Sequence, residues 1–166
     1  MKTALLAVSL CLLFSCAKEY SYEKRITREL LRENFQAFLT NPGVKFQPVN
    51  FYSDQPVDFD KNDSSTALET DLRKYMSSYL PDDHYIFLPS GKIVVEQNEL
   101  KKSSLPADRF ERNYSVTESE QAILFDFLDH NYSPHRYILH EVGSDYFILK
   151  VAFENAMLYS RYDAVR

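Results

Sequence analysis

Tyr146-Phe147-Ile148-Leu149-Lys150-Val151-Ala152-Phe153 alternates with the period of an extended strand. Phe147, Leu149, Val151 and Phe153 recur at every second residue, so one pleated face collects four large apolar side chains, while Tyr146, Ile148, Lys150 and Ala152 take the other. Reversals flank it at Gly143-Ser144-Asp145 and Glu154-Asn155, where glycine, serine, asparagine and acidic residues suit turns. The neighbouring runs, Arg136 to Val142 and Ala156 to Tyr162, then read as its partners. The last thirty residues predict a three-stranded antiparallel meander.

Working outward from that meander, Tyr85 to Leu88 and Ile93 to Glu96 are short apolar runs joined through Pro89-Ser90-Gly91-Lys92, which predicts a hairpin. Lys45 to Tyr52 reads as a strand that Pro48 confines to an edge or a bulge. Three segments carry helical signals. From Tyr22 to Leu39, Leu30, Leu31, Phe35 and Phe38 share one side of a helical wheel, and Asn41-Pro42-Gly43 stops it. Thr66-Ala67-Leu68-Glu69 has the form of a capping box, and Leu68, Leu72, Tyr75, Met76 and Tyr79 follow at helical spacing. Thr117-Glu118-Ser119-Glu120 repeats that form ahead of Ile123, Leu124, Phe127 and Leu128, giving a helix to about His130. Ser53 to Asp63 and Asn98 to Asn113 read as polar surface connections. The expected fold is α+β, with about three helices packed on an antiparallel sheet that ends in the meander, in a single domain spanning residues 22–166.

At the other terminus, a basic Lys2 precedes an apolar run from Ala4 to Phe14 that is too short to span a bilayer as a mature helix, and the run ends in Leu13-Phe14-Ser15-Cys16. That ending resembles the lipobox of bacterial lipoproteins: an aliphatic residue lies three before the cysteine and a small residue directly before it. The resemblance covers the leader alone. It implies that residues 1–15 are a signal peptide, that Cys16 is the lipid-modified first residue of the mature chain, and that residues 16–21 tether the domain to a membrane. Ala17 after the cysteine, where an aspartate accompanies inner-membrane retention in this class, implies the outer membrane. Several acyl chains on one residue anchor nearly permanently. With Cys11 in the leader and Cys16 committed to lipid, no disulfide is available.

Loss of Lys2 with the leader leaves 18 basic residues against 24 acidic ones, a net charge of −6. Nucleic-acid binders rely on basic surfaces for phosphate contact, so nucleic acid is not an expected partner. The chain has three glycines, Gly43, Gly91 and Gly143, each in a turn context. None remains for a phosphate-cradling loop, and no cofactor is expected.

The candidate chemical groups are few. Asp126 and His130, four apart on a predicted helix, have the spacing of two ligands or an acid–base pair. Asp82-Asp83-His84 places adjacent carboxylates beside an imidazole, although such a run also builds a polar turn. His135 and His140 differ by an odd number on a predicted strand and should point to opposite faces, so no metal centre is expected from the histidines. His140, between Ile138 and Val142, reads as partly buried. Tyr132, Tyr137, Tyr146, Tyr159 and Tyr162 crowd the meander, and tyrosine is favoured at recognition surfaces; Tyr137 and Tyr146 mark an expected binding surface on the sheet's outer face.

The sequence therefore reads as a lipid-anchored cell-envelope protein that acts by binding an envelope protein or small ligand. One alternative is a small envelope hydrolase using Asp126, His130, Asp83 and His84. Another is an inhibitor or immunity-type lipoprotein.

Overall fold

A computed structural model describes residues 31–61, 68–76, 80–100, 108–128 and 133–166. The leader, Cys16, the tether 16–21, the first part of the expected N-terminal helix and His130 lie outside these residues.

The expectation of an α+β fold is overturned. Among the described residues the structure is mostly β, at 60% strand, with one α-helix and a closed eight-stranded antiparallel barrel. Helix α1 (residues 31–39) leads through Gly43, whose φ of 81° suits the reversal after a helix, into β1 (Lys45–Val57). β2 (Glu69–Asp71) follows, then two single 3₁₀ turns at Arg73–Tyr75 and Leu80–Asp82. The remaining strands are β3 (His84–Leu88), β4 (Lys92–Glu96), β5 (Arg109–Glu118), β6 (Ile123–Leu128), β7 (Pro134–Val142), β8 (Tyr146–Phe153) and β9 (Ala156–Val165). β3 to β9 pair consecutively, and β1 closes the ring between β9 and β3. β2 pairs on the free side of the second half of β1.

Two expected helices are strands or turns for identifiable reasons. Thr117 and Glu118 finish β5, and Ser119 makes the reversal, its hydroxyl accepting from the amides of Gln121 at 3.3 Å and Ala122 at 3.1 Å. The residues that suit a helix cap also suit such a turn. Beyond it, Ile123, Phe125 and Phe127 alternate into the core as β6, and Phe125 is 3% exposed. In the second case, Glu69–Asp71 pairs with β1 while Leu72 is driven into the core, its amide donating to the Phe51 carbonyl at 2.9 Å. Asn98 to Asn113, expected as a connection, contains the start of β5. There Phe110 turns inward while Arg109, Glu111 and Asn113 face solvent.

Large apolar side chains pack the interior. Phe46, Phe147, Phe87, Phe125, Leu149 and Val95 fill the barrel, and α1 presses Phe35 and Leu39 into one end. Phe35 meets Phe147 edge-on at 5.5 Å and Phe125 at 6.4 Å. Each such ring contributes roughly 1.5–3 kcal/mol by leaving water. A smaller cluster of Val57, Leu72, Ala156 and Leu158, flanked by Phe59, Tyr75 and Phe153, packs where β1 runs on beside the β8–β9 hairpin. The outward residues of β5, Arg109, Glu111, Asn113, Ser115 and Thr117, are all polar and exposed. This polar-out, apolar-in pattern inverts that of a lipid-facing barrel.

The seams around β1 are unequal. β1 and β9 match over a long register from Lys45↔Val165 to Ser53↔Leu158, whereas β1 and β3 share the single register pair Phe46↔Tyr85. Past that pair β1 bends away at a bulge between Pro48 and Asn50, consistent with the missing N–H of Pro48, and the 3₁₀ turns fill the gap.

Candidate functional site

The outer wall formed by β7, β8, β9 and β1 carries a continuous set of aromatic and charged side chains. Tyr52 and Tyr159 are cross-strand partners, stacked with ring centroids 5.1 Å apart and planes 10° from parallel. His140 meets Tyr159 edge-on at 4.9 Å. It reaches that position because the β7–β8 register slips between Leu139 and Glu141, leaving His140 as a bulge residue beside outward Glu141. On β8, the Tyr146 hydroxyl donates to the Glu141 carboxylate, and the guanidinium of Arg161 lies 4.1 Å from the Tyr146 ring centroid. Arg161 is fixed in turn by Asp163, its Nε donating at 2.6 Å. Buried Ile148 lies within this wall, 7% exposed.

The electrostatics follow from the contacts. The Tyr146 phenol is raised first by its hydrogen bond to Glu141. That of Tyr52 is raised first by burial and then by Tyr159 and Glu141. Hydrogen bonding to Asp163 holds the Arg161 proton more firmly. The raised phenols of Tyr52 and Tyr146 therefore stay neutral beside a fixed cation.

Tyr137 does not join Tyr146 there. It lies on the inward face of β7 opposite Phe125, stacked on Phe127 at 5.6 Å. Close by, Tyr162 stacks on Phe147 at 4.8 Å, and burial, reinforced by Tyr137, raises its phenol strongly. Of the two expected surface tyrosines, only Tyr146 is on the outer wall. Tyr159 is one of the tyrosines that crowd the meander in the sequence, and the structure places it on this wall. Tyr52 was not, because nothing local signals that β1 pairs with β9. His135 and His140 do face opposite ways, but His140 is exposed where partial burial was expected.

Of the residues weighed for catalysis, Asp126, Asp83 and His84 are described, and they are not brought together. Asp126 is on β6, not a helix, and faces Arg136 on β7, whose Nε donates at 2.7 Å and whose second nitrogen donates at 3.1 Å to the other carboxylate oxygen. Asp83 and His84 are at the start of β3, which β4 and β5 separate from β6. His84 stands opposite Glu96, with Nδ1 3.3 Å from the Asn98 amide nitrogen. Glu96 is already matched to Lys45 at 2.6 Å and Arg109 at 3.7 Å, and the hydrogen bond from Lys45 lowers its carboxyl. Asp82 Oδ2 accepts from the Leu100 amide at 2.7 Å. Asp83 differs from these: it is 3% exposed, its Oδ1 has no hydrogen-bond partner, and burial together with Asp82 pushes its carboxyl up to about 7.

Among the described residues no three His, Cys, Asp or Glu side chains converge as a metal-binding group, and no helix is long and apolar enough to cross a membrane. An open groove beside β2 is lined by Leu68, Thr70 and the ion pairs Arg73–Asp71 and Lys74–Glu69.

The fold and wall define an eight-stranded antiparallel barrel with a filled interior and an aromatic, arginine-bearing outer face. Comparison with protein-family models, curated proteins and solved structures gives no match.

Proposed function

We propose that the chain is a cell-envelope binding protein, tethered through lipid on Cys16, that recognises a protein partner through the wall of Tyr52, Tyr159, His140, Tyr146 and Arg161. The observation that supports it is the ordering of these side chains. Tyr159 touches both Tyr52 and His140, the Tyr146 ring lies against Arg161, and Arg161 is also held by Asp163. Tyrosine and arginine dominate binding energy at interfaces because they offer large amphipathic contact area. Ordering them beforehand reduces the rotamer entropy lost on association, about 0.5–1.5 kcal/mol per side chain.

A photo-crosslinking side chain placed at position 52 of the full chain in intact envelopes tests this. Adducts of one defined protein should form there, be absent when the crosslinker is at Asn113 on the outward face of β5, and disappear in Tyr146→Ala/Tyr159→Ala with the fold intact by circular dichroism. Equal adducts at both positions, or adducts unchanged in the double variant, would overturn the proposal. Release of the protein into the soluble fraction by Cys16→Ala tests the tether.

A further inference from the structure

The start of β3 holds a buried group that the outer-wall function does not use. Tyr85 and Phe87 alternate into the interior, and Asp83 continues their phase one step beyond β3. On β4, Ile93 and Val95 point inward, and Gln97 continues that phase. The pair His84↔Glu96 fixes the register, so Asp83 and Gln97 are the next step of the same ladder, at 3% and 6% exposure. Two polar side chains thus occupy the barrel end where β3 begins and β4 finishes.

Asp83 Oδ1 is buried with no hydrogen-bond partner. A buried carboxylate is normally matched to a cation or a set of donors, because desolvation without compensation is strongly unfavourable. The cations close by in the register are committed elsewhere: Lys45 and Arg109 both serve Glu96. Asp82, next in the chain, adds negative potential and has Oδ2 occupied by the Leu100 amide. Tyr85, next on the inward face, turns its ring to Tyr162 at 6.0 Å and gives the site an aromatic side. Among the described residues no positive group that brings its own donors is matched to Asp83. A metal ion fits poorly, since Asp82 Oδ2 is taken and His84 Nδ1 faces Asn98.

We propose that Asp83 receives a small organic cation of the primary-ammonium class at this end of the barrel, the ammonium donating to the free carboxylate oxygen while its alkyl part lies against Tyr85. The near-complete burial of Asp83 limits the ligand to a slender head group.

The test is titration of the full-length protein with methylammonium chloride, with sodium chloride as the ionic-strength control. Carboxyl-carbon NMR of Asp83 provides one readout and calorimetry the other. Expected are a saturable shift of the Asp83 carboxyl signal and a binding heat weakened at least about tenfold in Asp83→Asn. Asp126→Asn, which removes a distant carboxylate, should bind as the parent does. No saturable shift beyond the salt control would overturn the proposal, as would unchanged affinity in Asp83→Asn. Should Asp83→Asn not fold, the wild-type carboxyl signal alone decides.

Discussion

Tyr52 on β1 and Tyr159 on β9 are stacked across the strand pair that closes the barrel, 5.1 Å apart and 10° from parallel, with His140 edge-on to Tyr159. The contact lies on the one long seam of β1, so the proposed recognition surface and barrel closure depend on the same pairing. Tyr159→Ala should lower stability by about 1 kcal/mol, the usual worth of an aromatic cross-strand pair, and should abolish crosslinking at position 52. Tyr159→Phe keeps the ring and should restore most of the stability. Chemical denaturation of the three proteins at one pH measures this.

Gly143 and Tyr146 make a second dependence. The Tyr146 ring packs directly over Gly143, so a methyl group there would overlap the ring. Gly143→Ala should therefore move Tyr146 away from Arg161 and Glu141, at a cost of about 1–3 kcal/mol typical of overpacking. The phenol of Tyr146, now held up by its hydrogen bond to Glu141, should titrate lower in this variant. Glu141→Gln should give the same direction of change without the steric cost. Phenolate absorbance followed against pH distinguishes the two.

Removing the ring that α1 inserts is the sharpest test of the architecture. Phe35 is 1% exposed between Phe125 and Phe147. Phe35→Ala should cost about 3–5 kcal/mol, because the surrounding wall cannot collapse into the space. Leu31, on the same helix but 53% exposed, should tolerate alanine with little change. Thermal unfolding of both variants reports the contrast.

What was legible in the sequence follows from how far each signal travels along the chain. Phe147 and Leu149 announced their inward face because both neighbours, Ile148 and Lys150, sit on the other side of the same strand, a purely local pattern. β5 escaped notice because its outward residues are charged or polar and its interior ones, Phe110 and Tyr114, are spaced too thinly to dominate a window. β6 was misread since Ile123 and Phe127 fit a period of four as well as of two, and Phe125 decides between them only once its burial is known. Closure of β1 on β9 joins residues more than a hundred positions apart, which no local pattern encodes. The candidate site shares that limit: Tyr146 and Tyr159 could be found, Tyr52 could not, and Tyr137 was placed on the wrong face because the bulge at His140 shifts the phase of β7 against β8.

Asp83 makes a prediction about pH that is independent of any ligand. In the unfolded chain its carboxyl has the ordinary value of 3.8, and in the folded chain burial and Asp82 push it up to about 7. Below 3.8 both states hold the proton and the group is neutral in each. Between the two values the unfolded chain has released its proton while the folded chain retains it, so stability falls as pH rises, and the loss is complete above about 7. The full difference corresponds to at most about 4 kcal/mol. Asp83→Asn keeps the shape and never ionises, so it should be more stable than the parent at about pH 8.5 and nearly equal to it at about pH 4. Glu96, lowered by Lys45, acts in the opposite sense, its contribution being lost as pH falls, but it is common to both proteins and drops out of their difference. Urea unfolding of parent and variant across that range measures the difference directly. A gap that widens toward acid would mean that the Asp83 carboxylate is stabilised in the folded chain, and the carboxyl would have to be paired with a donor.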